Sequence, residues 1–146
     1  MKIVYILRGV PGNGKNYVAD QLCDNSSKST AVCCADDYLV DENGVYKWTQ
    51  DRIGSAHNWC QLFFEENLKD ETNIIVVANT NVHSRDVRFY RDMAISYGYA
   101  VTVLTVENWH DGTDSHNVAK ELKHKMANIL RQNIKLLPEH LQQTTT

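Results

Sequence analysis

Apolar positions along this chain fall into short continuous runs separated by longer stretches of helical periodicity. Lys2 to Leu7 is a β-branched and apolar run, the pattern of a buried strand, and Thr30 to Cys34 is a second. Thr72 to Ala78 contains Ile74-Ile75-Val76-Val77, apolar on both faces, and so predicts a central strand. Tyr99 to Val106 gives a fourth. Between these runs the period changes. Asn16 to Leu22 can be helical. From Thr49 or Gln50 to Lys69, Ile53, Ala56, Trp59 or Cys60, Phe63 and Phe64 share one side of a helix. Ser84 to Tyr97 predicts another helix, with Ser84 as N-cap and Gly98 just past its end. Asn43-Gly44, between Tyr38-Leu39-Val40 and Val45-Tyr46-Lys47-Trp48, reads as a hairpin tip. A last helix is expected from Asp114 to Leu136, with Val118, Leu122, Met126, Ile129 and Leu130 as its apolar stripe, before Pro138 interrupts it. Strands alternating with helices predict an α/β fold, a parallel sheet with helices on both faces. The expected organisation is a single domain over 1–146, with about 138–146 a frayed tail.

The first strand runs directly into Gly9-Val10-Pro11-Gly12-Asn13-Gly14-Lys15-Asn16, which fits the phosphate-cradling pattern G-x-x-x-x-G-K-[ST] except at its last position. Strand, loop and helix stand in the order this motif requires. Glycines let backbone wrap closely around an anion, and successive N–H groups with the helix N-terminus point at its phosphates. Lys15 adds a cation for the β- and γ-phosphates. Gly9, Pro11, Gly12, Asn13, Gly14, Lys15 and Asn16 are therefore the expected binding residues for ATP or GTP. Asn16 stands where a Ser or Thr hydroxyl usually ligates Mg²⁺; its amide oxygen is the candidate metal ligand, with water and substrate phosphates completing the shell.

In open α/β sheets, ligands lie beyond the carboxyl ends of the strands. The second strand ends in Ala35-Asp36-Asp37-Tyr38, and a carboxylate there could take a proton from an attacking hydroxyl or simply cap a turn. The third ends in Asn79-Thr80-Asn81, which could orient a substrate phosphate or metal-bound water, or stabilise a turn. The fourth ends in Glu107-Asn108-Trp109. Arg85 and Arg88 could clamp a phosphate or form a solvated basic face. Lys120, Lys123, His124, Lys125, Arg131 and Lys135 on the last helix suggest a basic lid over transferring phosphates.

The 146 residues allow a sizeable core in one domain. A net charge of −3 provides no general basic surface, so any nucleic-acid contact must be local. The four cysteines make no C-x-x-C pair and predict reduced thiols packed as small hydrophobes. Arg8 breaks the apolar N-terminal run, which excludes a signal peptide or membrane span there and leads to the expectation of a cytoplasmic protein with no membrane partner.

Taken in order, Arg8-Gly9-x-Pro11-Gly12-x-Gly14-Lys15, Ala35-Asp36-Asp37-Tyr38, Ala56-His57-x-Trp59-x-Gln61, Asn79-Thr80-Asn81 and Tyr97-Gly98-Tyr99 resemble the small P-loop kinases related to phage polynucleotide 5′-kinase. The resemblance covers about residues 2 to 107. It implies a four- or five-stranded parallel P-loop kinase fold and transfer of the ATP γ-phosphate to a hydroxyl, often a nucleic-acid 5′-OH; the expected acceptor is a hydroxyl of a polynucleotide or nucleotide. It also implies that Asp36, the first aspartate of a D-D-Y element, is the general base. Arg131-x-Asn133 followed by Pro138 resembles the lid element, which makes Arg131 the candidate γ-phosphate cation; Asn117-Val118 to Leu122 offers a second register. Asp37, Thr80, Asn81 and Arg85 are then the candidate substrate contacts. The chain departs from the pattern at Asn16, at Asn79 where the D-T-N element has an acid, and at Leu39 where an arginine often follows D-D-Y. A nucleotide-binding regulatory protein and a small-metabolite kinase are the alternatives.

Overall fold

The computed structural model describes residues 1–24, 27–47, 49–107 and 119–134. Four strands, β1 (Ile3–Arg8), β2 (Thr30–Cys33), β3 (Ile74–Val77) and β4 (Ala100–Thr105), form one parallel sheet in the order β2-β3-β1-β4. Register pairs Ile3 with both Ile74 and Ala100, so the strands begin level and their carboxyl ends share one edge. The helices are α1 (Lys15–Asp24), α2 (Gln50–Lys69), α3 (Ser84–Ser96) and α4 (Lys120–Asn133). This is the expected α/β arrangement, with β3 and β1 at the centre as the apolar runs require.

Alternation along the strands sends side chains to two cores. Val4, Ile6, Cys33, Ile75 and Val77 face Ala56, Cys60, Phe64 and Leu68 of α2 and Tyr90 and Ala94 of α3. Leu7, Cys34, Val76 and Ala78 face the other way, against Ala19 and its α1 neighbours Val18 and Leu22. Phe64 meets Tyr90 edge-to-face at 4.9 Å between ring centroids, locking α2 to α3.

Three local expectations are corrected. Tyr38 and Leu39 belong to a short 3₁₀ turn over Ala35–Leu39, not to a strand, and the hairpin shrinks to one antiparallel bridge between Val40 and Tyr46. Leu39 is buried under α2, and that burial draws the segment into a tight turn before it can extend. Ser84 is the first residue of α3 rather than its cap; its N–H and hydroxyl both donate to Asn133 Oδ1, at 2.9 and 2.7 Å, so the cap comes from α4. α1 begins at Lys15, one residue earlier than the pattern suggests. Of the expected last helix, Lys120–Asn133 is helical, and residues 114–118, 135 and 136 lie outside the described residues. Gly98 takes a left-handed φ of +81° just past α3, as expected.

Candidate active site

The chain leaves β1 at Arg8 and wraps into α1 through a loop that only glycine permits at several points. Gly12 and Gly14 hold φ at +84° and +88°, the left-handed region. A methyl group at Gly9 would fall on Asn13 Nδ2 and lie 2.7 Å from the Val106 carbonyl. Asn13 is buried and donates that amide to the Val106 carbonyl, tying the loop to the end of β4. Lys15 Nζ turns into the loop. It donates to the Gly9 and Val10 carbonyls at 3.0 Å each and to Asn13 Oδ1 at 3.2 Å. A cation is thus held inside a ring of loop oxygens, beside the N–H groups of the first turn of α1. Asn16 is exposed on that same turn, leaving its amide oxygen open to a hard cation carried by phosphates.

The loop rests on the segment that follows β3. The Gly9 N–H donates to the Thr80 carbonyl at 3.0 Å. Asn81, with φ at +46°, donates its amide to the Leu7 carbonyl at 2.7 Å. Arg8 is buried and sends Nε to the Asn81 carbonyl (2.8 Å), Nη2 to the Val82 carbonyl (3.1 Å) and Nη1 to the Asn133 carbonyl (3.5 Å). Burial lowers its pKa from the ordinary arginine value and the Asp86 charge offsets part of that. The last contact places a cation at the C-terminal end of α4, where the helix dipole favours it. The sequence singled out Arg8 as a break in the apolar N-terminal run and as part of a motif, not as a structural link; a charged residue closing an otherwise apolar strand is the signal that marks it.

On the other side of β3, the strand-two turn presents the paired carboxylates. Asp36 is partly buried, and the Tyr46 hydroxyl donates to its Oδ1 at 3.3 Å. Asp37 is exposed, yet desolvation of its carboxyl, followed by the Asp36 charge, raises its pKa above the usual carboxylate value. Beneath the turn, burial pushes the Cys34 thiol up to about 12, so it stays protonated at neutral pH and carries no nucleophilic chemistry.

The P-loop, Thr80 and Asn81 are therefore brought together by direct bonds, and Asp36 and Asp37 stand at the end of the strand adjoining β3. Arg85 and Arg88 are exposed on α3, Arg85 in its first turn. Arg131 is exposed in the last turn of α4, where Asn133 docks that helix on Ser84 and Arg8. Asn117 and Val118, which open the second lid register, and the strand-four residues Asn108 and Trp109 lie outside the described residues, and the register's remainder to Leu122 runs into the start of α4. Among the described residues, no helix is long and apolar enough to cross a membrane, and no group of three or more His, Cys, Asp or Glu is arranged to hold a metal ion.

The family model for an AAA domain, AAA_33, matches residues 4–142. The chain is 28% identical to NEDD4-binding protein 2 of Homo sapiens over 73% of this chain, but spans only 6% of that protein's length. It is 26% identical to an uncharacterized protein of Pasteurella multocida (strain Pm70), covering 86% of this chain and 75% of that one. Among solved structures, a chain of the Pnkp1/Rnl/Hen1 RNA repair complex superposes with a TM-score of 0.67 at 20% identity, over 99% of this chain and 50% of that chain. A variant of the Mycobacterium tuberculosis APS kinase CysC superposes with a TM-score of 0.50 at 13% identity, over 89% of this chain and 96% of that one.

Proposed function

The chain belongs to the AAA_33 family, a family of P-loop kinase type, and from that premise we propose that it moves the γ-phosphate of ATP, or of GTP, onto a hydroxyl of a polynucleotide 5′ end or a nucleotide. The observation that carries this reading is the Lys15 ammonium ringed by the Gly9, Val10 and Asn13 oxygens, on the same sheet edge as the Asp36 turn. Phosphate oxygens replace the loop carbonyls around Lys15, and loop amides hold the β- and γ-phosphates. Asp36 takes the proton of the acceptor hydroxyl as its oxygen bonds to the γ-phosphorus; the bond to the β–γ bridging oxygen breaks and the diphosphate leaves. Arg131, and Arg85 from α3, supply cations to the equatorial oxygens and the acceptor. Asp37, Thr80 and Asn81 line the acceptor side. Asn16 would hold Mg²⁺, which would supply charge neutralisation for the phosphates.

Support for a polynucleotide acceptor comes from the superposition with a chain of an RNA repair complex and from the ordered motifs that resemble polynucleotide 5′-kinases. A second reading, a nucleotide-binding regulatory protein, is favoured by one observation: amides stand at Asn16 and Asn79, where the kinase pattern has a hydroxyl and an acid. Incubation with γ-labelled ATP, Mg²⁺ and a panel of 5′-OH oligonucleotides, nucleosides, nucleotides and small base-free alcohols separates these readings. The kinase reading expects label on the 5′-hydroxyl of one acceptor class. Saturable ATP binding without transfer to any acceptor supports the regulatory reading, and label on a small base-free alcohol would make the chain a metabolite kinase.

A further inference from the structure

Where backbone pairing between β2 and β3 ends, a side chain takes the next rung. The Ala78 N–H donates to the Cys33 carbonyl at 2.9 Å, the last main-chain bond of that ladder. Just past the strand ends, two residues beyond Cys33 and one beyond Ala78, the Ala35 N–H donates to Asn79 Oδ1 at 2.8 Å. Cys34, at the N-cap position of the 3₁₀ turn, makes no side-chain cap bond, and the first N–H of that turn is satisfied from the segment that follows β3. Because Ala35 N–H can only donate, it fixes which end of the Asn79 amide is the oxygen. The nitrogen then faces Cys60 and donates to its Sγ at 3.5 Å, where the Tyr90 hydroxyl also arrives at 3.6 Å. Asn79 and Cys60 are both buried. An amide is the side chain that serves this slot, accepting at one end and donating at the other without a charge in a dry pocket.

We propose that Asn79 is a positioning residue, holding the Ala35–Leu39 turn so that the Asp36 carboxylate meets the acceptor hydroxyl, and that it is not the vestige of a metal-organising acid. The inference rests on the reading of Asp36 as the base. The Asn79 amide is turned toward Ala35 on the strand-two side and toward Cys60 on α2, and both its ends are engaged there. Asp36 follows Ala35 directly, so loss of the Asn79 oxygen releases the turn at the residue before the carboxylate. Burial raises the Cys60 pKa, so its thiol keeps a proton that could donate to a carboxylate at position 79. Asn79→Asp thus preserves the acceptor for Ala35, whereas Asn79→Ala removes it.

The experiment is single-turnover transfer from γ-labelled ATP for wild type, Asn79→Ala and Asn79→Asp, with ATP affinity, the Mg²⁺ midpoint of transfer, and amide exchange at Ala35 measured alongside. A displacement of about 1 Å at a catalytic group can lower a rate by about 10²-fold. The expected result is a loss on that order in Asn79→Ala with ATP affinity unchanged and Ala35 exchanging faster. Asn79→Asp should recover most of the rate with an unaltered Mg²⁺ midpoint. Transfer at the wild-type rate in Asn79→Ala overturns the proposal, as does a parallel loss of ATP affinity in that variant. A lower Mg²⁺ midpoint with a rate above wild type in Asn79→Asp overturns it too, because that is the signature of a metal organiser. If Asn79→Ala does not fold, Asn79→Asp alone decides by its Mg²⁺ midpoint. Wild type that binds ATP but transfers to nothing overturns the kinase reading and this inference with it; an active wild type with insensitive variants overturns this inference alone.

Discussion

The Lys15 ammonium lies 3.0 Å from the carbonyl oxygen of Gly9, the residue that opens its own loop. The pair closes a small ring in which the loop's oxygens surround a cation. A triphosphate entering the loop exchanges those neutral oxygens for charged ones, which are stronger partners for an ammonium.

Lys15→Ala removes that exchange while leaving the core untouched, because Lys15 contacts loop oxygens and not the buried clusters. A hydrogen bond to a charged group contributes about 1.5–3 kcal/mol. Calorimetric ATP affinity should fall about 10- to 100-fold with an unchanged melting temperature. Equal affinity in the two proteins would contradict the assignment of the loop.

Asn16→Ser replaces an exposed amide by the hydroxyl that Mg²⁺ accommodates at shorter distance. A Mg²⁺ titration of transfer should show activity kept or raised and a lower midpoint. A large loss of activity would show that the amide makes a specific contact of its own.

Asp37 gives a pH signature. Its folded-state pKa is raised, by desolvation first and then by Asp36, so the fold favours its protonated form. That favourable contribution is complete below the unfolded aspartate value of about 3.9 and is lost as pH rises through the folded pKa. At neutral pH the ionised group therefore weakens the fold. Asp37→Asn should raise the melting temperature at pH 7, and the gain should shrink as pH falls toward about 4. A gain that grows on acidification would reverse the sign.

Asn133→Ala strips α3 of its cap, since Ser84 N–H and Oγ both use the Asn133 oxygen. Loss of a cap costs about 0.5–2 kcal/mol. Denaturant unfolding should show a stability loss in that range, and Asn133→Asp, which keeps the acceptor, should restore most of it. No change in Asn133→Ala would mean that water replaces the cap fully.

Continuous apolar runs were the legible part of this fold. Ile74–Val77 and β1 up to Leu7 are apolar on both faces because both strands are interior, and that burial leaves a mark in composition. The P-loop was legible because its glycines and lysine are fixed by local geometry. Asn79, Arg8 and Asn133 were not readable as structural links. Each acts through partners far away in sequence, Ala35 and Cys60 for the first, Asn81 and Val82 for the second, Ser84 for the third. Such pairings depend on which strands become neighbours. The 3₁₀ turn at Ala35–Leu39 was hidden for the same reason: alternation suggests a strand at Tyr38–Val40, but burial of Leu39 against α2 decides otherwise.

Single-turnover transfer from γ-labelled ATP by wild type, Asp36→Asn and Asp37→Asn tests the central claim, a phosphate loop and a carboxylate base acting at one sheet edge. Removing a general base lowers a rate by about 10²–10⁴-fold. The expected result is a loss in that range for Asp36→Asn with ATP binding intact, and a smaller loss for Asp37→Asn. Wild-type transfer by Asp36→Asn, or a greater loss in Asp37→Asn, would contradict it.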